Sequence, residues 1–528
     1  MSTNGRAIDP FLADLDKCLR CGFCMAVCPT YAETAREDYV ARGRLNLIQQ
    51  QVKPLPVPFL AEDPEHVKEP YKPPAAGEPG NGNGGSNGAD DVADQAQPRN
   101  LAINARDIRE PLFSCLGCLA CETACPSGVP VTAIVSAARA DFVGRYGMSA
   151  VKRMAIQGVL AHPAFLAWGA RLASFGQGLF FQNLSRQLPD GAGHQRPRCR
   201  LPLVSRRVFP RAARVPLATR LRHLPGPEGP HRRVAFFPGC LLSVAYTDVG
   251  VALHNLLAKR GVAMITPAEW VCCGLPAQVH GAWVTARQQV LHNLEIMEAL
   301  LDAGVERVLT ACASCGSQLA HHAAALFAGE PAVQGRLQRA AERVQDAIAY
   351  LVDVLDFQPG PFVVAGSMIV TYHDPCHLVR GLGVREQPRE LLRRLPGIHP
   401  VEMKEADRCC GGAGIYFLEH PDLSATIRHH KLQAIAQTRA QLVATACPAC
   451  MMQLEDGLVE EEMGAETVHI LQLLDDSEHP PAEQRRYRSR TAACSPGTTQ
   501  SSSPGERVAA AGTGNASPAN LPFRLCGF

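Results

Sequence analysis

A mixed architecture is predicted for this 528-residue sequence: a helical N-terminal domain organised around two copies of one cysteine motif, then two duplicated α/β cysteine-rich domains. Three observations carry that expectation. A C-x2-C-x2-C-x3-C-P motif occurs twice before residue 127, ten later cysteines recur at a nearly constant offset, and short apolar runs alternate with helical stretches around those ten. Hydrophobic residues make up 46% of the chain, enough to bury sizeable cores. The balance of 52 Lys+Arg against 50 Asp+Glu leaves +2, so no global positive field would draw the chain to nucleic acid, and no nucleic-acid partner is expected. The first residues are polar and acidic rather than basic and then apolar, and no run of about 20 apolar residues occurs. A cytoplasmic location is therefore expected, where 21 cysteines make sense as metal or cluster ligands rather than as disulfides.

The N-terminal domain follows from its two motifs, Cys18-x2-Cys21-x2-Cys24-x3-Cys28-Pro29 and Cys115-x2-Cys118-x2-Cys121-x3-Cys125-Pro126. Three thiolates at two-residue gaps wrap three irons of one cubane, and in two-cluster proteins the fourth cysteine, before proline, ligates the other cluster. Cys18, Cys21, Cys24 and Cys125 are thus expected on one [4Fe–4S] cluster, and Cys115, Cys118, Cys121 and Cys28 on the other. Structural zinc, the alternative, uses two separated C-x2-C pairs or Cys with His and does not need this spacing. The domain reads as ferredoxin-like over residues 1–145, with short helices such as 130–144 around the cluster loops.

The next ten cysteines form a repeat. Cys240, Cys272-Cys273-Gly274 and Cys312-x2-Cys315 are followed at offsets of 136, 137 and 135 residues (376−240, 409−272, 447−312) by Cys376, Cys409-Cys410-Gly411 and Cys447-x2-Cys450. Apolar strands at 234–237, 262–265 and 307–311, and again at 362–371 and 441–446, alternate with helices at 285–303 and 423–439. That is an α/β arrangement with the cysteines at strand C-terminal ends, where open α/β sheets place their sites. Adjacent cysteines on an extended segment point opposite ways, so they serve one tetrahedral zinc poorly and suit a polynuclear site better. A single metal, a thiol redox pair or a structural C-C-G turn with buried thiols remain the alternatives.

Taken together, the paired cubane motifs and the two C-C-G repeats resemble the iron–sulfur subunit of bacterial glycolate oxidase. Its superfamily includes iron–sulfur subunits of lactate-utilisation, anaerobic glycerol-3-phosphate dehydrogenase and heterodisulfide reductase systems. The stretches around Cys21–Tyr31, Arg42–Ile48 and Cys121–Gly128 carry the likeness, which spans about residues 14–475. It implies noncubane [4Fe–4S] clusters, one or two beyond the cubanes, held by the two five-cysteine sets. It also implies an electron-transfer subunit of an oxidoreductase complex, not self-sufficient as an enzyme, that takes electrons from a flavoprotein oxidising glycolate to glyoxylate. Iron–sulfur clusters pass single electrons and the chain has no nucleotide-binding motif in context, so FAD must sit on a partner subunit. The acceptor would be a quinone or another carrier. Completeness of both five-cysteine sets keeps open a second reading, reduction of a disulfide at a noncubane cluster; lactate or glycerol-3-phosphate are the alternative substrates. No catalytic acid or base is nominated on this chain.

The remaining segments are read in order. Residues 72–100 are a Gly/Asn/Pro-rich flexible insertion, whose Gly80, Gly82 and Gly85 fit G-x-G-x-x-G with neither strand before nor helix after. Residues 146–232 form a basic linker and helical segment: from 145 to 233 there are 16 Lys/Arg against Asp190 and Glu228, a net of +14. Its aromatics, Phe165, Trp168, Phe175 and Phe180, are expected to pack as ordinary core. The functional alternative is an interfacial segment that brings the chain to anionic lipid at the inner face of the membrane, close to quinone. The two cysteine-rich domains are placed at 233–357 and 358–475, and residues 476–528 form a disordered tail. His373, Asp374 and His377 around Cys376 are expected to cap a strand end, with hydrogen bonding to cluster sulfur as the functional alternative. Cys199, Cys494 and Cys526 match no motif.

Overall fold

A computed structural model describes residues 6–52, 105–183, 194–198, 207–364, 367–480 and 483–484. The Gly-rich insertion, nearly all of the expected tail, and Cys199, Cys494 and Cys526 lie outside these residues. Helices and parallel sheets are mixed as the sequence implies.

The N-terminal part is helical. Helix α1 (Phe23–Val27) lies within the first cysteine motif, α2 (Ala41–Val52) follows it, α3 (Ala120–Thr123) lies within the second motif, and α4 (Val131–Tyr146) leaves it. Buried Arg44 on α2 ties the two halves together: it donates to the Pro111 carbonyl (2.7 Å), Thr30 Oγ1 (3.2 Å) and Ser114 Oγ (3.0 Å). Three carbonyl and hydroxyl acceptors satisfy a guanidinium that burial would otherwise destabilise. Helix α5 (Pro163–Phe180) comes next, and its end continues into a small antiparallel sheet of Phe181–Asn183, His194–Pro197 and Phe209–Pro210.

Two four-stranded parallel sheets follow. The first contains β1 (Arg232–Phe237), β2 (Val262–Ile265), β3 (Arg307–Thr310) and β4 (Val344–Asp346) in the order 2-1-3-4. The second contains β5 (Met368–Tyr372), β6 (Ile398–Pro400), β7 (Leu442–Thr445) and β8 (Glu466–His469) in the order 6-5-7-8. The duplication inferred from cysteine spacing is therefore a duplication of topology. Central strands of a sheet covered on both faces read as continuous apolar runs, and Val234–Phe237 and Leu442–Ala444 are fully buried. Long helices α6 (Trp283–Asp302) and α8 (Pro421–Thr438), with α7 (Ala313–Ala320) and α9 (Pro448–Glu460) starting at the third strand of each sheet, complete the two layers. The expected helices at 285–303 and 423–439 match α6 and α8 to within two residues. The final strand of each unit, β4 and β8, and the edge strand β6 were not read from sequence: each carries a single aliphatic residue, so no apolar run marks it, and the strand expected at 362–371 begins only at Met368.

The N-terminal part docks on the first sheet unit through α4. Arg139 donates to the Leu112, Cys115 and Val279 carbonyls, and Trp283 Nε1 donates to Ser136 Oγ at 3.0 Å. A Cβ at Gly281 would lie 2.5 Å from the Arg139 carbonyl oxygen, so only glycine permits that approach.

Candidate metal centres

The two N-terminal motifs share a backbone device. In each, the residue before the second cysteine and the residue after it have positive φ: Arg20 (55°) and Gly22 (88°) in one, Gly117 (63°) and Leu119 (64°) in the other. Such left-handed positions turn the chain back on itself and point successive amides inward, the concavity that anionic sulfur requires. Glycine supplies this cheaply once per motif, at opposite positions, and Arg20 and Leu119 carry the strained copy. Cys121 and Cys125 of the second motif line the same small cavity as Cys18, Cys21 and Cys24. Cys28 stands near both motifs: burial raises the pKa of Cys24 and of Cys121, and Cys28 adds to each. The fourth cysteines, Cys28 and Cys125, thus lie where the two motifs meet.

In each sheet unit the loops after the first three strands carry the cysteines. Cys240 follows β1 through Gly239 (φ 65°), where a Cβ would meet Cys315 Sγ at 2.6 Å. Cys272 and Cys273 precede Gly274 (φ 91°); Cys409 and Cys410 precede Gly411 (φ 80°), whose amide donates to Cys409 Sγ at 3.4 Å. Cys312 and Cys447 lie just before α7 and α9, and Cys315 and Cys450 sit in the first turns. These loops flank the point where strand order reverses, the usual position of a site in an open parallel sheet.

Ionisation reveals how close the sulfurs are. Cys272 raises the Cys240 pKa, and Cys272 and Cys315 lower that of Cys273. Cys273 and Cys312 raise Cys315, while Cys312 and Cys450 lower Cys447. Cys410 and Cys447 raise Cys450, and Cys376 and Cys410 lower Cys409. Burial raises Cys118 of the second N-terminal motif, and Cys409 adds to it. The ten cysteines form one string of neighbours, crossing between the units at Cys312 and Cys447 and ending beside Cys118. So many buried sulfurs cannot all ionise unless cations lie among them, and a set of metal ions is the donor chemistry they fit.

The surroundings add polar groups. His373 is 1% exposed, neither ring nitrogen has a hydrogen-bond partner among the described residues, and its ring shares a 4.8 Å cluster of candidate ligand atoms with Cys410 and Cys450. Burial lowers its pKa to about 3, so the ring is neutral. Asp374 is held by Arg389 through both oxygens (3.0 and 2.7 Å). His377 bridges Ser314 Oγ (3.1 Å) and the Gly117 carbonyl (2.9 Å), joining both units to the second N-terminal motif. The expected strand-end capping is not what these contacts do: Asp374 serves as the counterion of Arg389 and His377 ties separate parts of the chain together. Lys431, fully buried on α8, was missed by sequence reasoning: its ammonium donates to the Glu405 (2.5 Å) and Ala406 (3.1 Å) carbonyls, and burial lowers its pKa to about 8. A lysine on a helix ordinarily reads as solvated, so nothing in its spacing marked it.

An apolar cavity of about 310 Å³ joins the parts, lined by Cys115 of the second motif, Cys240, Cys272 and Cys315 of the first unit, and His377 of the second. Helix α5 departs from the expectation of ordinary core packing. Phe165, Trp168, Leu172, Phe175, Leu179 and Phe180 are all exposed, between 56% and 71%. At spacings of three and four the first five make one continuous outward row, while Ala170 and Ser174 face inward. The helix buries its small residues and leaves its large ones outside, a pattern that a count of apolar positions cannot distinguish from its inverse. No helix among the described residues is long and apolar enough to cross a membrane.

Residues 14–129 match the 4Fe-4S dicluster domain family, and residues 234–320 and 370–455 match the cysteine-rich (CCG) domain family. Over 475 residues the chain is 28% identical to the probable glycolate oxidase iron-sulfur subunit of Bacillus subtilis, covering 87% of this chain and 93% of that protein. It is 26% identical over 465 residues to a subunit of the dihydromethanophenazine:CoB–CoM heterodisulfide reductase of Methanosarcina barkeri, covering 84% and 90%. Lactate utilization protein A of a Geobacillus species is 27% identical over 243 residues, 46% of this chain and 99% of that protein. The chain is thus an iron–sulfur protein that joins a 4Fe-4S dicluster domain to two cysteine-rich (CCG) domains, and over most of its length it is similar to the glycolate oxidase and heterodisulfide reductase proteins named above.

Proposed function

We propose that this chain is the electron-transfer subunit of a membrane-associated glycolate (2-hydroxy acid) dehydrogenase complex. Its partner, an FAD protein, oxidises glycolate to glyoxylate, and electrons leave to a quinone. The observation that carries this reading is the string of sulfurs from Cys118 through both sheet units to Cys240. Cys18, Cys21, Cys24 and Cys125 hold one [4Fe–4S] cluster and Cys115, Cys118, Cys121 and Cys28 the other, within a domain of residues 1–145. The five-cysteine sets of domains 233–357 and 358–475 hold noncubane clusters. When bound, the clusters supply one-electron transfer. The chain's own part is to exclude water from the sulfurs and to align them.

The outward row of α5 supports peripheral contact with anionic lipid at the inner face of the cytoplasmic membrane, as do five exposed arginines, Arg145, Arg153, Arg171, Arg198 and Arg214, which pair with no carboxylate among the described residues. The test is Cys21→Ser in the purified complex. Glycolate should still reduce the partner's flavin, while iron falls by one cubane and quinone reduction is lost; unimpaired turnover would overturn the assignment.

Completeness of both five-cysteine sets, together with the likeness to a heterodisulfide reductase protein, favours one second reading: disulfide reduction at a noncubane cluster. Iron content discriminates. About 8 irons per chain would favour a simple conduit, whereas roughly 12 to 16 with an electron paramagnetic resonance signal altered by thiol would move disulfide chemistry to first place.

A further inference from the structure

We infer that Lys431 is the fixed counter-charge of the second unit's metal centre and raises its reduction potential; this rests on the proposal that the second five-cysteine set holds a cluster. Lys431 stands in the middle of α8 and is 1% exposed. Every partner of its Nζ is an acceptor: the Glu405 and Ala406 carbonyls at 2.5 and 3.1 Å, and Met403 Sδ at 4.0 Å. Acceptors alone suit an ammonium, which has three donors and no lone pair, and would leave the lone pair of an amine unsatisfied. A buried cation is unfavourable unless an anion faces it.

The nearby carboxylates already have partners. Asp374 pairs with Arg389, and Asp407 pairs with Arg380 and Arg385. Burial weakens the hold of Lys431 on its proton, and Cys410 and Cys409 oppose this more than Asp407 and Asp374 do. The anion that balances the ammonium is therefore at the paired sulfurs. Positioning of the loop does not call for a cation. The Ala406 carbonyl accepts from Lys431 and from the Asp374 amide (3.1 Å), which ties the loop ahead of Cys409 to the one ahead of Cys376. The first unit secures its matching loop with a neutral group: Asn293, fully buried on α6, accepts from the Val271 amide (3.2 Å) and donates to the Cys272 carbonyl (3.1 Å). Leu294 stands there where Lys431 stands in the second unit, each 21 residues after the second paired cysteine (294−273, 431−410). What the lysine adds is charge. Uptake of one electron from the preceding cluster makes a centre more negative by one unit, with no bond formed or broken. A cation fixed beside it, away from water, stabilises the reduced form more than the oxidised one.

The experiment is a redox titration of the anaerobically purified full chain, followed by electron paramagnetic resonance, with iron and sulfide measured on the same samples. The second unit's signal is the one lost in Cys409→Ala. Lys431→Gln keeps donors for the two carbonyls and removes the charge, whereas Lys431→Arg keeps the charge. In Lys431→Gln the equilibrium constant for reducing the second unit's centre should fall at least tenfold, 59 mV for a one-electron centre, with iron unchanged. In Lys431→Arg it should stay within threefold of the parent. Loss of iron from Lys431→Gln but not from Lys431→Arg would support the same role, because only the charge separates the two variants' contacts. An unchanged potential in Lys431→Gln at full iron, or an equal fall or equal loss of iron in both variants, would overturn the counter-charge and leave Lys431 a tie between loops. An unsubstituted chain with metal only at the N-terminal motifs, about 8 irons, would overturn the cluster reading of the second unit, and the role of Lys431 with it.

Discussion

Phe237 in the first cysteine-rich unit and His373 in the second occupy the same place, three residues before the cysteine that follows the first strand. Around Phe237 the wall is apolar: it is fully buried against Trp270, and the next residue is Pro238. Around His373 stand Asp374 with Arg389, and Lys431; twenty-one residues after the paired cysteines, Lys431 corresponds to the buried Leu294 of the first unit. One topology and one arrangement of sulfurs are thus set in two dielectric environments. The polar unit lies against the second N-terminal motif through Cys118, and the apolar one opens on a cavity beneath α5. Hydrogen bonds and nearby cations raise the reduction potential of a cluster, and their absence lowers it. The duplication has kept the sulfurs and changed their surroundings.

Removing metal from either unit is the strongest way to break the comparison. Cys272→Ala and Cys409→Ala should each cost about four irons and at least 100-fold in quinone reduction. A variant that lost its iron yet kept turnover would take that unit out of the path. Next in size is the charge pair peculiar to the second unit. Arg389→Leu leaves Asp374, fully buried, without its counterion and should destabilise the fold by about 3–5 kcal/mol in urea titration. Pro238→Ala, at the matching place, should cost far less; equal losses would mean the pair contributes nothing.

The helix caps after the last strands sharpen the contrast through pH. Asp346 accepts from the Ile348 amide, and His469 accepts from the Leu471 amide in the matching position. Burial raises the Asp346 pKa to about 7 and lowers that of His469 to about 4, so both favour the neutral form. For a carboxyl raised on folding, stability is full below its unfolded value near 4 and is lost as pH climbs to about 7. For a histidine depressed on folding, stability is full above about 6.5 and is lost as pH falls to about 4. Asp346→Asn should therefore raise stability at pH 8 by about 2–4 kcal/mol and do little at pH 4. A pH-independent effect would show that the carboxyl is not buried neutral. The smallest expected change is that of His373→Phe, which copies the first unit: a lower potential for the second unit's centre in a redox titration followed by electron paramagnetic resonance, with iron retained. Loss of iron instead would make His373 a ligand, and no change at all would make it filler.

Much of this was legible in the sequence because cysteine spacing is a rigid signal. The offsets of 135 to 137 residues announced two like units, and the apolar runs at 234–237 and 441–446 announced their central strands. What could not be read is where sign depends on tertiary context. The row on α5 has the periodicity of any amphipathic helix, and only the structure shows the large residues turned outward. Lys431 carries no motif; it matters because of the two carbonyls its ammonium meets.

The continuity of the sulfur string has a consequence for biogenesis. Before iron arrives, Cys312 and Cys447 are free thiols from different units held side by side, and Cys447 ionises the more readily. A thiolate next to a thiol is the substrate of air oxidation, and a crosslink there would staple the two units together across the place where metal belongs. With iron at these sulfurs, as proposed, the order of assembly would be constrained: the chain would have to meet iron before it meets oxygen.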